Sequence, residues 1–113
     1  MNSTKANGLD PITTQVVRST LVAAAEEMRL TMVRTAYSPL LYEIQDFGVA
    51  ILNTEGEMLA QGLSMPVFSS CLQATVRSGL EKFGINGFNP GDIIIANDPF
   101  TTGTHISDTS IYI

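Results

Sequence analysis

The chain has few charged residues and very few of the side chains that carry redox or nucleophilic chemistry. Its 113 residues include one cysteine, one histidine and no tryptophan, and 15% of them are charged. With Cys71 as the single cysteine, an internal disulfide is excluded, which fits a reducing compartment such as the cytoplasm. Cys71 is interpreted as a small buried side chain rather than as a thiolate activated at the start of a helix.

Clustered positive charge and long apolar runs are also missing. The six basic residues are scattered from Lys5 to Lys82, and the net charge is −5. Nucleic acids and anionic membranes both select clusters of Lys and Arg, so neither is an expected partner. No stretch reaches the ~18 apolar residues of a membrane-spanning helix, and no phosphate-binding loop of the G-x-x-x-x-G-K type occurs.

The apolar content, 44%, is enough for one small domain with its own core. Residues 1–9 are mostly polar and are expected to form a flexible N-terminus, with the folded part at residues 10–113. Because so little of the chain is charged, we expect part of its surface to be covered by more chain or by a partner, and an oligomer is expected.

Two segments have the apolar spacing of helices. Asp10 and Pro11 predict the start of a long helix that runs to about Ala36, with apolar residues on two faces and therefore sandwiched between other elements. Its Glu26 and Glu27 are interpreted as a solvated rim. A second helix is predicted from a cap at Ser69 or Ser70 to Phe83, ended by Gly84. Its core-facing positions are predicted to be Leu72, Val76, Leu80 and Phe83.

Four segments have the pattern of β-strands, at residues 47–52, 58–61, 92–96 and 109–113. The first two flank a turn in which Gly56 is able to take a positive φ, so they predict a hairpin. The continuous apolar run at 92–96 is typical of a central buried strand. The predicted fold class is α+β, with two helices packed on a small mixed sheet. Because the chain stops at Ile113 on a strand pattern, an incomplete domain is expected.

One stretch, from Asn97 to Asp108, could carry chemistry. Asp98, His105 and Asp108 lie within eleven positions, and an imidazole with carboxylates suits Zn²⁺, Mn²⁺ or Fe²⁺. His105 and Asp108 would lie on opposite faces of a straight strand, so they converge only if the backbone turns between them. The alternative is a loop held by hydrogen bonds without any metal, and spacing alone leaves both open.

The order of segments resembles the hydantoinase B/oxoprolinase family. Four pieces carry the resemblance, the last being the most specific. They are Glu26-Glu27-Met28 leading to Arg34-Thr35-Ala36-Tyr37-Ser38; Glu43 with Asp46-Phe47 before the strand at 48–52; residues 53–56 leading to Leu59-Ala60-Gln61 and Met65-Pro66-Val67; and Pro90-Gly91-Asp92 followed by Asn97-Asp98-Pro99-Phe100, Gly103-Thr104-His105 and Asp108. Two positions depart from the family pattern, Phe68 where a histidine is common and Thr102 where a glycine is common.

The resemblance implies the N-terminal part of a B-type subunit in an ATP-dependent, metal-assisted hydrolase. Such enzymes open a cyclic amide such as a hydantoin, oxoproline or a lactam, and a separate A-type subunit binds ATP, which agrees with the missing phosphate-binding loop. The resemblance makes His105 and Asp108 metal ligands, with Asp98 a ligand or a residue behind them, and expects a further histidine beyond Ile113. Two alternatives stay open: the corresponding subunit of a ketone carboxylase, and a structural or interaction fragment with neither metal nor activity of its own.

Overall fold

The computed structural model describes residue 8 and residues 10–102 and 105–113, so the predicted flexible N-terminus lies almost wholly outside the described residues. Within these described residues, four helices, one 3₁₀ turn and four short strands follow one another. In order they are α1 (Pro11–Thr35), α2 (Pro39–Tyr42), β1 (Ala50–Leu52), β2 (Met58–Gln61), α3 (Pro66–Phe83), the 3₁₀ turn Ile85–Gly87, β3 (Ile94–Ala96), α4 (Pro99–Thr102) and β4 (Ser110–Tyr112).

Helix α1 begins and ends where its sequence predicts. The Asp10 carboxylate accepts the N–H of Thr13 at 3.0 Å, and Pro11 occupies the first turn, where its missing N–H costs nothing. The helix lies against α2, β1 and β2. Only Ala25 and Arg29 are buried in it. The described part of the chain therefore does not form the predicted sandwich, and α1 leaves apolar side chains exposed, among them Val16, Val17, Val22, Met28 and Met32.

Strands β1 and β2 form the predicted antiparallel hairpin, with Ile51 opposite Ala60 and a bulge beside Leu52. Asn53 organises the turn, because its side-chain oxygen accepts the N–H groups of Glu55 at 3.1 Å and Glu57 at 2.7 Å. Gly56 has the expected positive φ of 73°.

Helix α3 ends at Phe83 with Gly84 at φ 70°, as predicted, but its predicted start was wrong. It begins at Pro66 after Met65 rather than at a serine cap, because proline is itself well suited to the first helical position. The buried stripe consists of Cys71, Thr75 and Gly79. The predicted core positions Leu72, Val76 and Leu80 are half-buried, and Phe83 is exposed.

Strands β3 and β4 pair antiparallel, with Ile95 opposite Ile111. The predicted α+β class is confirmed. Instead of one mixed sheet, however, the described residues form two separate antiparallel pairs, β1–β2 and β3–β4. A period-two pattern indicates a strand but does not choose its neighbour. The prediction of a central buried strand at 92–96 was wrong for this chain, since Ile93 is 59% and Ile95 68% exposed.

The core is small and lies where α1 and α3 meet the hairpin. Ala25, Ala60 and Cys71 are its buried apolar side chains, joined by Arg29 and Thr75. Over residues 10–102 and 105–113, no large side chain is completely buried. In the same ranges, no helix combines the length and apolar character needed to cross a membrane. The expected incomplete domain stays a prediction.

Candidate functional site

The stretch after β3 carries the side chains that the sequence predicts to bind metal. Asn97 and Asp98 follow β3 directly and lead into α4. Gly103, which belongs to the most specific piece of the resemblance, lies outside the described residues. The described chain resumes at His105, turns through residues 105–108 and enters β4. Because Ala96 pairs with Ser110, the two ends of this loop are held close together.

The backbone turns between His105 and Asp108 and brings their side chains together. The N–H of Asp108 donates to the carbonyl oxygen of His105 at 3.1 Å. In the opposite direction, the N–H of His105 donates to Oδ2 of Asp108 at 3.2 Å. The imidazole Nδ1 of His105 lies 3.4 Å from the same Oδ2. The sequence required such a turn for convergence, and the structure has it.

This pair is open to solvent, with the His105 side chain 80% and the Asp108 side chain 32% exposed. A tetrahedral ion with bonds of ~2.1 Å keeps its nitrogen and oxygen ligands roughly 3.4 Å apart. The spacing of Nδ1 and Oδ2 therefore fits two ligands of one divalent ion, and the donor types suit Zn²⁺, Mn²⁺ or Fe²⁺. In the part of the chain that the structure describes, no group of three or more His, Cys, Asp or Glu side chains is placed to hold an ion.

Asp98 lies at the start of α4 and is engaged there. Its Oδ1 accepts the N–H of Phe100 at 3.1 Å, and its Oδ2 accepts the hydroxyl of Thr101. The Thr101 hydroxyl is the main reason that the pKa of Asp98 is lowered; partial desolvation opposes it, and the N–H groups of Phe100 and Thr101 add to it. The carboxylate is thus held ionised. Its service as a ligand, or as a residue behind the ligands, stays a prediction.

Asn97 connects β3 to the turn. Its Nδ2 donates to the carbonyl oxygen of Asp108 and, at 3.3 Å, to that of Ile106. Sequence reasoning included Asn97 in the stretch of interest but gave it no role. Two sequence signals could have found it: its position directly after a predicted strand and its place in the most specific piece of the family resemblance.

Helix α3 supports β4 through small side chains. The hydroxyl of Thr75 lies 3.4 Å from that of Ser110. A Cβ built on Gly79 would overlap the hydroxyl oxygen of Tyr112, so that ring sits where the glycine has no side chain. Burial raises the pKa of Tyr112. Because Gly79 has no side chain, β4 can approach α3 closely. This strand follows the His105–Asp108 turn.

Cys71 belongs to this same face of α3. It is buried, and its pKa is raised, first by burial and then by the negative charge of Asp108. The interpretation of Cys71 as a small buried side chain rather than an activated thiolate is therefore confirmed.

A second polar cluster, which sequence reasoning did not identify, is formed by Glu26, Arg29 and Gln45 and joins α1 to the connectors beside it. The Arg29 guanidinium is 10% exposed and donates from Nε to both oxygens of Glu26, at 2.9 and 3.0 Å, and from Nη2 to Oε1 at 2.6 Å. Its Nη1 donates to Oε1 of Gln45 at 2.6 Å. The N–H of Leu63 donates to Oε2 of Glu26 at 3.1 Å. One guanidinium thus ties α1 to the segment before β1, and its carboxylate partner ties α1 to the segment after β2.

The interpretation of Glu26 as part of a solvated rim holds in part: its side chain is 38% exposed but also accepts hydrogen bonds from Arg29 and from the N–H of Leu63. Glu27 is exposed as expected. The hydrogen bonds from Arg29 are the largest cause of a lowered pKa at Glu26, with the Leu63 N–H next. The i, i+3 spacing of opposite charges was the available signal. Gln45 could not be assigned this way, since it is sixteen positions from Arg29 and its φ of 57° is set by the connector.

The family model described as hydantoinase B/oxoprolinase matches residues 10–113. The chain belongs to the hydantoinase B/oxoprolinase family. This membership confirms the resemblance found in the sequence, whose most specific piece is the stretch that carries Asn97, His105 and Asp108.

The chain spans less than a fifth of the length of the curated relatives named below. It is 37% identical to an uncharacterised protein of Methanocaldococcus jannaschii over 91% of the chain and 19% of that protein. It is 35% identical to caprolactamase subunit beta of Pseudomonas jessenii over 94% of the chain and 18% of the subunit. It is 30% identical to 5-oxoprolinase 1 of Arabidopsis thaliana over 93% of the chain and 8% of that enzyme. No solved structure gave a significant match.

Proposed function

We propose that the chain is the N-terminal part of a B-type subunit that opens a cyclic amide, together with an A-type subunit that binds ATP. The observation that carries the proposal is the family match over residues 10–113. Two similar proteins are named caprolactamase subunit beta and 5-oxoprolinase 1. Both names refer to cyclic amides, and the first refers to a subunit of a larger enzyme. A small cyclic amide is therefore the proposed substrate class, and an A-type subunit the proposed partner.

In this proposal His105 and Asp108 hold a divalent ion. Their facing atoms are 3.4 Å apart and open to solvent, so both can be reached by an ion and by a substrate. When bound, the ion would act as a Lewis acid toward an amide carbonyl. Asp98, kept ionised by its hydrogen bonds, adds negative charge to the same loop. Further ligands are proposed to come from water or from other parts of the assembled enzyme.

Titration with Co²⁺, a spectroscopic substitute for Zn²⁺, tests the metal part of this proposal. We expect the wild-type chain to bind Co²⁺, and His105→Ala and Asp108→Asn each to weaken binding at least ~10-fold, since each removes one of few ligands. Asp46→Asn is the matched control for Asp108→Asn, because Asp46 is an exposed carboxylate in the connector before β1. Absence of Co²⁺ binding by both the wild-type chain and the full-length subunit that carries it, or equal binding by His105→Ala, would show that the loop is a structural element without metal.

Activity has to be measured in the assembled enzyme. In a full-length B-type subunit that carries this segment, we expect His105→Ala to abolish lactam opening while ATP binding by the A-type subunit is retained. Full activity of that variant would overturn the proposed role of His105 in catalysis. If the active enzyme assembles without an A-type subunit, the proposed partner is wrong.

A further inference from the structure

We propose that Asn97 is a positioning residue that sets the placement of His105 relative to Asp108. The inference rests on the proposed function of this pair as metal ligands. It begins from the exposure of His105, whose side chain has little protein packed around it. The direction of the imidazole is therefore determined mainly by the backbone of the turn at 105–108.

The hydrogen bonds inside the turn do not attach it to the rest of the molecule. One joins the N–H of Asp108 to the carbonyl of His105, and the other joins the N–H of His105 to the Asp108 carboxylate. Both would survive if the whole turn rotated as a unit away from the sheet. Ladder pairing between β3 and β4 reaches Ala96 and Ser110 and leaves the turn beyond it.

Among the described residues, Asn97 attaches the turn to β3. Its amino group has two hydrogens and donates to two carbonyl oxygens, those of Ile106 and Asp108. These two carbonyls belong to the second and fourth residues of the turn, so the amide holds the turn at two points. Because Asn97 follows β3 directly, the turn is fixed to the strand rather than only to itself.

The chemistry of these contacts separates positioning from ligation. Asn97→Asp keeps the size and the Oδ1 atom but removes both donated hydrogens and places a carboxylate beside two carbonyl oxygens. A positioning residue is disabled by this change. A residue that binds the ion through Oδ1 would retain or increase its affinity, since a carboxylate is the stronger ligand for a hard divalent ion. Asn97 is exposed, so its replacement leaves no cavity and the fold is expected to survive.

The test uses the single histidine of the chain, whose imidazole nitrogens give unambiguous NMR signals. Long-range ¹H–¹⁵N spectra of the metal-free chain at one fixed pH report the contact between Nδ1 and Asp108. We expect Asn97→Asp and Asn97→Ala to shift the imidazole signals toward those of Asp108→Asn, and to weaken Co²⁺ binding ~10-fold, as loss of a residue that orients a ligand does. Asn97→Ser, which retains one donor, should fall between them and the wild type.

Asn89→Asp is the matched control, since it makes the same change in the turn before β3 and is expected to leave both readouts unchanged. Circular dichroism confirms that each variant is folded at the temperature used. Wild-type imidazole signals in Asn97→Asp would overturn the positioning role, and equal or tighter Co²⁺ binding would reassign Asn97 as a ligand. If neither the wild-type chain nor the full-length subunit binds Co²⁺, the metal part of the proposed function fails, and the imidazole spectra of the variants still decide whether Asn97 holds the pair.

Discussion

The chain contains two pairs of a basic side chain and a carboxylate at the same spacing, in very different surroundings. Glu26 and Arg29 are three residues apart on α1, and His105 and Asp108 are three residues apart in a turn. Arg29 is nearly buried, and its donors are directed to Glu26 and Gln45. His105 is exposed beside a single carboxylate oxygen. The comparison shows that spacing alone does not assign a role: the first pair joins segments of the fold, whereas the second is accessible to a ligand.

The largest expected effect comes from breaking the pair of Glu26 and the buried Arg29. Arg29→Ala removes the donors to Glu26 and Gln45 and leaves both acceptors without their partner at the junction of α1 with its two connectors. We expect this variant to show the greatest loss of stability among those considered, measured by urea unfolding. Arg18→Ala, at an exposed position of the same helix, should differ little from the wild type. Equal stability of the two variants would mean that the Arg29 cluster does not hold α1 in place.

The second-largest effect is expected where α3 packs against β4, the strand that follows the His105–Asp108 turn. Gly79→Ala places a Cβ against the Tyr112 hydroxyl, and we expect such overpacking to cost ~1–3 kcal/mol and to displace β4. Co²⁺ binding by the His105–Asp108 turn should weaken as well, because that turn enters β4. Adding Tyr112→Phe removes the overlapping oxygen and should restore part of both losses. Lack of any restoration would place the cause elsewhere than in this contact.

Acid should weaken the Glu26–Arg29 pair in a predictable direction. The pKa of Glu26 is lower in the folded chain than its ordinary value of 4.5, so its contribution to stability is complete above that value. The contribution is lost as pH falls through the lower, folded pKa. Glu26→Gln should therefore reduce the slope of the unfolding free energy against pH in this acid range. Glu27→Gln is the control, and an identical acid slope in wild type and Glu26→Gln would contradict the expectation.

The smallest expected effect on stability concerns the exposed face of β3 and β4. Ile95 and Ile111 face each other across the ladder, and both are exposed in this chain, as are Ile93 and Ile113. Such a patch favours self-association. Ile95→Thr keeps a β-branched side chain, so we expect a change within ~0.5 kcal/mol but less association in sedimentation velocity at high concentration. If the wild-type chain is purely monomeric in the same sedimentation experiment, the prediction is wrong.

Local features of the fold were predictable because short-range chemistry decides them. The cap at Asp10, the turn at Gly56, the stop at Gly84 and strand β2 were all predicted from neighbouring residues and are confirmed. The buried stripe of α3 was displaced by one position. Hydrophobicity predicted that the stripe containing Leu72 would be buried. The close approach of β4 instead buries the stripe of small residues that contains Thr75 and Gly79. That approach involves segments more than thirty residues apart along the chain.

At the candidate site, too, some features were predictable from the sequence and others were not. The sequence by itself determined the family, the α+β class and the identity of the potential ligands, because these depend on residue types and their order. Only the tertiary structure decided that His105 and Asp108 share one turn, that Asp98 caps α4, and that Asn97 holds the turn to β3. It also decided that Glu26 accepts hydrogen bonds from Arg29 and from the N–H of Leu63. The physical reason is that the role of a carboxylate depends on which donors surround it and on its exposure, and both are set by distant segments that the fold brings together.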